Sequence, residues 1–242
     1  MLVTRMKKPY VFLMGSLLYS FLMQSCNSLT DIEFDVNGAN FRMIAVKGGS
    51  IALGTMNEQS DDINKAYKVT LNDFLIGETE VTQQLWFAVM GNNPSYNKYV
   101  DGNYPVENVS WNDVQIFIEK LNEITGQTFR LPYESEWEFA ARGGIKTCNK
   151  KYAGSDNIDE VAWYSENAGG VTHPVAMKKP NELGIFDMSG NVWEYCHNAD
   201  NQLLHIIKSG SWYCGDDMAM VATKNEYSGD KDISVGFRLF LK

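Results

Sequence analysis

Few residues in this chain can take part in covalent or metal chemistry. The 242 residues include four cysteines and three histidines, namely Cys26, Cys148, Cys196, Cys214, His173, His197 and His205. The histidines lack the close spacing that aims two imidazole rings at one metal ion, which favours surface or hydrogen-bonded roles for them. Four cysteines are also too few for a disulfide scaffold in a chain of this length. The cysteines are therefore the first candidates for chemistry.

The first 26 residues have the pattern of an export signal. Three positive charges at residues 5–8 precede an apolar run over residues 11–23. A helix of that length falls short of the ~30 Å hydrocarbon core, which favours a secretory signal over a membrane span. The run ends in Leu-Met-Gln-Ser-Cys, which resembles a bacterial lipobox with Cys26 as the lipidated residue. The alternative is an ordinary cleaved signal that happens to be followed by a cysteine.

These features predict a signal peptide over residues 1–25, a polar tether over 26–40 and one domain over 41–242. We expect a cell-envelope protein, anchored through its N-terminal lipid to the outer membrane or facing the periplasm. With Cys26 modified, three cysteines remain in an oxidising compartment, so at least one thiol is free or pairs outside the chain.

Composition supports a folded domain and excludes some partners. Hydrophobic residues make up 44% of the chain and aromatic residues 12%, enough to form a sizeable core. The formal net charge is −9. Because an acidic surface repels phosphate backbones, we expect no nucleic-acid partner.

Regular elements are sparse along the chain. Residues 42–46 and 50–53 are predicted to form a hairpin. Residues 67–76 begin with alternating apolar and polar side chains, which predicts a half-buried strand. Helices are predicted over residues 82–90, 110–125 and 134–142, the second with Ser110 and Asp113 as a capping box. A strand is expected over residues 235–241. The pattern indicates an α+β domain with much irregular structure.

Eight blocks in order resemble the sulfatase-modifying-factor family, also called the formylglycine-generating-enzyme-like domain. They read MIAVKGG at 43–49, ETEVT at 78–82, YPVENVSW at 104–111, RLP at 130–132 with EWE and AARGG at 136–144, NELG at 181–184, DMSGNVWE at 187–194, GSW at 210–212 and GFR at 236–238. The resemblance implies a compact α+β fold, distantly akin to C-type lectins, with little regular secondary structure. It covers nearly the whole domain.

The resemblance also implies a structural calcium ion. In the family, one calcium loop matches the segment from Asp187 to Glu194. Asp187 and Glu194 would supply carboxylates, and Gly190 and Val192 backbone carbonyls. Such an oxygen set suits Ca²⁺, a hard cation with six to eight oxygen ligands. The alternative is a turn whose acidic residues are merely solvated or capping.

Copper catalysis is put in doubt by the same resemblance. Copper-using members carry two cysteines five residues apart, and two thiolates suit Cu(I). Here the first position is Cys214 and the second is Ala219, whose methyl group cannot bind copper. We therefore expect a binding or structural module for a peptide, protein or glycan ligand. The alternative is an oxidoreductase that converts a substrate cysteine to formylglycine using Cys214.

Overall fold

A computed structural model describes residues 29–54, 66–98, 102–197 and 204–242. The predicted signal peptide and Cys26 lie outside the described residues. Five strands form one mixed-length antiparallel sheet in the order β1-β2-β5-β11-β6. Their bounds are β1 Ile32–Val36, β2 Ala39–Val46, β5 Phe74–Gly77, β6 Phe129–Arg130 and β11 Phe240–Leu241.

Two smaller sheets complete the β structure of the described residues. A four-stranded sheet has the order β10-β7-β8-β9, with β7 Trp193–Cys196, β8 His205–Lys208, β9 Asn225–Tyr227 and β10 Val235–Gly236. A two-stranded sheet pairs β3 Gly49–Leu53 with β4 Tyr67–Leu71. The predicted α+β class is confirmed.

The three predicted helices begin and end within one residue of their predicted bounds, as α1 Gln83–Met90, α2 Trp111–Thr125 and α3 Glu134–Ala141. The short α4 Ile158–Val161 was not predicted. Ser110 Oγ accepts from the Asp113 backbone N–H, and the Asp113 carboxylate accepts from Ser110 N–H, which confirms the capping box. Gly126 ends α2 at a φ of 68°, a left-handed conformation that glycine adopts without a Cβ penalty.

Three strand predictions need correction. Residues 42–46 and 50–53 do not pair with each other, because β2 pairs with β1 and β5 while β3 pairs with β4. The predicted strand over 67–76 is interrupted between β4 and β5. There the Asp73 carboxylate accepts from the Gly48 backbone N–H, and the chain passes from the two-stranded sheet into the five-stranded sheet. The terminal strand over 235–241 likewise divides into β10 and β11, in two different sheets.

The predicted tether is wrong for residues 32–40. Residues 32–36 form β1, which pairs along its whole length with β2. Val36 and Ala39 are buried against the core, and Asp31 accepts hydrogen bonds from Arg42 and from the Ala45 backbone. The folded domain therefore begins about ten residues earlier than the composition indicates.

Two hydrophobic clusters lie on the two faces of the five-stranded sheet. The first contains Phe117 and Leu121 of α2 with Trp86 of α1, and the second contains Trp137 and Phe139 of α3. Between α4 and β7 the chain is almost free of regular secondary structure. Turns and buried polar contacts hold this stretch, and it positions most of the candidate site.

Candidate functional site

Cys214 lies in a tight loop that follows β8. Gly210 has a φ of 69°, and a Cβ there would lie 2.9 Å from the backbone of Met218. Only glycine therefore allows this loop to press against residues 218–219. Cys214 N–H donates to the Ser211 carbonyl at 3.0 Å, and its thiol lies 3.2 Å from Ser211 Oγ. The thiol is half-buried and forms no disulfide.

Ala219, the position five residues beyond Cys214, points into the interior. Its side chain is fully buried and packs with Tyr152 and Val161. Its carbonyl accepts a hydrogen bond from Ser189 Oγ at 2.8 Å. The Ala219 methyl group therefore lies in an apolar cluster and offers no metal ligand.

Neither of the other two described cysteines supplies a second thiol beside Cys214. Cys196 is fully buried on β7 and packs in the α3 cluster, whereas Cys214 packs against the α2 cluster. Burial raises the pKa of the Cys196 thiol well above its usual range, which disfavours a thiolate. Cys148 is exposed and unpaired with another cysteine. A two-thiol site is therefore not formed by the described residues.

Exposed apolar side chains lie beside Cys214 in the chain and on segments hydrogen-bonded to its loop. Tyr213 is 74% exposed, and Met218 and Ile233 are each 36% exposed. Tyr213 meets the Trp212 ring edge to face at 5.6 Å, and Trp212 Nε1 donates to the Ile233 carbonyl. We call Tyr213, Cys214, Met218 and Ile233 the Cys214 surface. It offers an aromatic and aliphatic contact area on a fixed loop.

Three of the four predicted calcium positions, Asp187, Gly190 and Val192, lie in the segment before β7. Asp187, with a φ of 56°, accepts from the Ala176 backbone N–H at 2.7 Å, and burial raises the pKa of its carboxyl to about 6. The Gly190 carbonyl accepts from Ser209 Oγ at 3.0 Å. A Cβ on Gly190 would overlap the Trp163 backbone, so this turn also requires glycine.

Glu194 is held by protein groups rather than left open. Its two carboxylate oxygens accept from Arg238 Nε and Nη2, each at 2.6 Å, and Oε2 also accepts from Trp137 Nε1 at 2.7 Å. All three side chains are fully buried. A guanidinium this close already neutralises the carboxylate and would repel a divalent cation. In this arrangement the predicted set of Asp187, Gly190, Val192 and Glu194 does not fit calcium.

Glu80 belongs to the same buried cluster and was not among the predicted site residues. It accepts from Asn191 Nδ2 at 2.7 Å and from the Val192 backbone N–H at 3.1 Å. Burial, followed by the neighbouring carboxylates of Asp187 and Glu194, raises the pKa of Glu80 well above its usual range. The ETEVT block was the sequence signal that could have pointed to Glu80. Its partners lie more than 100 residues further along the chain, so the local sequence does not predict these contacts.

A concave surface lies beside β2 and the residues that lead into α1. A cavity of about 220 Å³ is lined by Val81, Leu85, Val175 and Leu239 together with polar residues, among them Glu78, Thr79 and Glu80. It shares its mouth with an open groove of about 430 Å³, whose lining residues are Glu33, Asn40, Phe41, Arg42 and Glu78. We call the cavity and this mouth together the α1 groove. Part of its lining, residues 78–82, is the family block ETEVT.

The histidines are not brought together as a metal site. His173 stacks on Trp163 at 3.7 Å and His205 on Trp111 at 3.9 Å. Within residues 29–54, 66–98, 102–197 and 204–242, no group of three or more His, Cys, Asp or Glu side chains is arranged to hold a metal ion. His173 Nε2 lies 2.8 Å from the Ala168 carbonyl, as expected for a hydrogen-bonded role, whereas His205 is buried against Trp111 and does not lie on the surface.

Comparison with known proteins defines the class. The model of the sulfatase-modifying factor enzyme 1-like domain matches residues 30–242, and the chain belongs to this family. The matched range agrees with the start of β1.

Relatives and a solved structure extend this finding. The chain is 32% identical to the protein named Chaperone protein LppX of Paenibacillus barcinonensis, over 93% of this chain and 95% of that protein. It is 28% identical to a formylglycine-generating enzyme of Streptomyces coelicolor, over 56% of this chain and 52% of the enzyme. An inactive Cα-formylglycine-generating enzyme 2 of Bos taurus is 32% identical over 45% of this chain and 38% of its own length. The structure of Treponema denticola variable protein 1 superposes with a TM-score of 0.80, at 30% identity, over 88% of this chain and 99% of that one.

Proposed function

We propose that this chain is a non-catalytic, protein-binding module of the bacterial cell envelope, anchored by a lipid on Cys26. The observation that carries the proposal is Ala219. Ala219 is buried, and the family resemblance assigns the second thiolate to this position; Cys214 alone cannot supply the two sulfur ligands that Cu(I) favours.

The Cys214 surface supports a binding role. Rigid aromatic side chains give contact area at a low cost in conformational entropy, and Tyr213 is both exposed and fixed against Trp212. The same surface would accept a peptide or protein, and a glycan remains the alternative ligand. A protein partner is favoured because a relative that matches over nearly its full length is named a chaperone.

Lipid anchoring rests on the sequence of the first 26 residues. No helix within the described ranges is long and apolar enough to cross a bilayer. We propose the lipid on Cys26 as the anchor because residues 22–26 resemble a lipobox. Metabolic labelling with a palmitate analogue, compared between the native chain and Cys26→Ala, tests this part separately.

Two assays on the full-length chain test the function. In the first, the Cu(I)-loaded protein is incubated in air with a cysteine-containing sulfatase-type peptide, and aldehyde formation is followed by mass. We expect no conversion above that of Cys214→Ser. Conversion that depends on Cys214 would support the oxidoreductase alternative and contradict the proposal.

The second assay follows light scattering as reduced lysozyme aggregates. We expect the native chain to suppress aggregation at near-equimolar ratio, because a chaperone-type module binds exposed apolar segments. Tyr213→Ala should weaken suppression, and Tyr96→Ala is the matched control, since Tyr96 is also highly exposed, at 69%. Absence of suppression by the native chain would contradict the protein-binding role.

A further inference from the structure

Strand β1 forms one edge of the five-stranded sheet. It pairs with β2 on one side, and no described strand pairs with its other side. A sheet edge carries backbone N–H and C=O groups with which a further strand can pair. The opposite edge of this sheet is β6, which has two residues and is soon followed by Pro132. The five residues of β1 therefore give the longer edge.

The turn after β1 shows which backbone groups face outward. Val36 pairs with Ala39 across the two-residue turn 37–38, whose φ angles are 53° and 85°. Positive angles at both positions are typical of a type I′ hairpin, whose flanking residues form a hydrogen-bonded pair. Because hydrogen-bonded pairs alternate along an antiparallel ladder, Glu33 and Asp35 turn their N–H and C=O groups away from β2. We call these four groups the β1 edge.

The β1 edge is open in the part of the chain that the structure describes. No hydrogen bond from outside the β1–β2 pair reaches the backbone of Glu33 or Asp35 there, and both residues are exposed. Donors and acceptors that repeat along an extended line are matched by another extended backbone, as in recognition by strand addition. The chemistry of the edge therefore indicates an extended polypeptide as its occupant.

Charge decides between a second copy of this chain and a different partner. Among the described residues Glu33 and Asp35 form no ion pair, since Arg42 binds Asp31 and Glu78 instead. If two β1 strands paired with each other, these acids would lie opposite one another, and like charges in that position are destabilising. A strand with lysine or arginine at alternate positions complements the same carboxylates.

The other face of β1 is apolar. Ile32 is 38% exposed, and the half-buried Phe34 stacks on Phe41 at 5.0 Å. Because successive side chains of a strand alternate between its faces, a partner strand with basic residues on one face places its remaining side chains beside Ile32 and Phe34. Apolar residues suit those positions.

We propose that the β1 edge binds an extended segment of a partner polypeptide as a further strand of the sheet, and that lysine or arginine alternates with apolar residues in this segment. Backbone hydrogen bonds to Glu33 and Asp35 hold the segment, and the alternation sets which of its faces lies beside the acids. This inference rests on the proposed protein-binding function, and it assigns a contact area formed by other residues than the Cys214 surface.

The probe is a fluorescein-labelled heptapeptide in which four lysines alternate with three valines. Fluorescence anisotropy on the native full chain should give saturable binding that weakens with added salt. The same peptide N-methylated at every backbone nitrogen keeps its charge and side chains but lacks amide donors, and it should bind about tenfold more weakly. A peptide of four consecutive lysines followed by three valines should bind about fivefold more weakly. Equal binding of the N-methylated peptide would overturn the proposal.

Amide hydrogen exchange locates the bound peptide on the chain. Without peptide, the outward N–H groups of Glu33 and Asp35 should exchange rapidly, whereas the Phe34 N–H, which pairs with β2, should exchange slowly. Saturating peptide should slow exchange at Glu33 and Asp35 by about tenfold. Unchanged exchange at both residues under saturating peptide would place the peptide elsewhere and overturn the proposal.

Two substitutions at one position separate the backbone from the charge. Glu33→Pro removes an outward N–H and leaves the ladder with β2 intact, because proline is tolerated on edge strands where the N–H faces solvent. It should weaken binding about tenfold, whereas Glu33→Gln should weaken binding only about twofold and lower its salt dependence. Glu119→Gln, an equal charge change on the exposed face of α2, should leave binding unchanged. Equal effects of Glu33→Pro and Glu33→Gln would assign binding to charge alone and overturn the proposal.

Other occupants give distinct results. If sedimentation shows a dimer of the native chain that Glu33→Pro dissociates, a second copy pairs with the β1 edge and the proposal is overturned. If the native chain suppresses lysozyme aggregation but does not bind the peptide, this site fails while the proposed function stands. If the native chain does neither, the proposed function fails with it.

Discussion

The buried cluster around Glu194 and the loop around Cys214 lie close in sequence but differ in how their polar groups are partnered. Each Glu194 oxygen accepts a hydrogen bond from Arg238, and Trp137 adds a third. The Cys214 backbone is paired with Ser211 and Ser165, whereas its half-buried thiol has a single neutral contact, with Ser211 Oγ at 3.2 Å. The comparison indicates that buried charge holds the scaffold together, whereas the Cys214 loop is free to serve as a surface.

Removing Arg238 should have the largest effect on stability. Arg238→Met would leave Glu194 buried without its counter-charge, and breaking a buried pair typically costs about 3–5 kcal/mol. Urea unfolding measures the loss. The double variant Glu194→Gln with Arg238→Met should recover part of it, since no unpaired charge remains. A loss below about 1 kcal/mol would contradict the view that this pair holds the scaffold.

The free energy of unfolding should also depend on pH through Asp187, by less than the loss expected for Arg238→Met. Burial raises the pKa of its carboxyl to about 6 from a usual value of 3.8, so between about pH 4 and pH 6 the native state holds a proton that the unfolded state releases. The Asp187 contribution to the free energy of unfolding therefore falls as pH rises through this window, by roughly 2–3 kcal/mol. In Asp187→Asn this decline should be absent.

Urea titrations of the native chain and of Asp187→Asn at pH 4.5, 5.5, 6.5 and 7.5 give two curves of unfolding free energy against pH. The difference between the curves isolates the Asp187 contribution. Asp156→Asn is the control, because Lys150 lowers the pKa of the exposed Asp156 carboxyl and the sign of its small effect is opposite. Parallel curves for the native chain and Asp187→Asn would show that Asp187 is ionised in the native state.

Calcium should have little effect on stability. Because Arg238 occupies Glu194, we expect chelator or added Ca²⁺ at pH 7 to move the melting temperature by less than about 1 °C, given that binding stabilises only the state that binds. A rise of several degrees that Asp187→Asn abolishes would mean that calcium displaces the guanidinium. It would also restore the calcium loop that the sequence predicts.

The smallest effect on stability belongs to the Cys214 surface. Tyr213→Ala should change the free energy of unfolding by no more than about 0.5 kcal/mol, as is usual for exposed positions. The same variant should nevertheless weaken the suppression of lysozyme aggregation. If Tyr213→Ala unfolds as readily as a core variant, the ring is structural and the contrast with the buried cluster disappears.

Local sequence signals predicted the helices and their caps because those contacts span only three or four residues. Ser110 with Asp113 and the glycine at 126 are examples. The alternation of Ile32, Phe34 and Val36 was also available and marks β1, although the polar residues around it favour a tether. Strand pairing was not predictable for β2. It pairs with β1 on one side and β5 on the other, and the turn residues after β2 do not specify either partner.

Within the candidate site, the family blocks located Cys214, Ala219 and the turn before β7. They could not show which side chains satisfy Glu194, because Arg238 lies 44 residues away and pairing depends on how three elements pack. The α1 groove contains the ETEVT block, but the block alone does not indicate a cavity. Its lining mixes core residues such as Leu85 with polar ones such as Thr79 and Glu80, and only their three-dimensional arrangement leaves a space.

Arg238 also donates to the Gly77 carbonyl at 3.0 Å, across 161 residues of sequence, and β11 completes the sheet between β5 and β6. During synthesis, at about 5–20 residues per second, Glu194 emerges seconds before the arginine that neutralises it. Until then the first sheet lacks an inner strand and its glycine carbonyl lacks a donor. The order of synthesis thus delays closure of the domain until β11 has emerged.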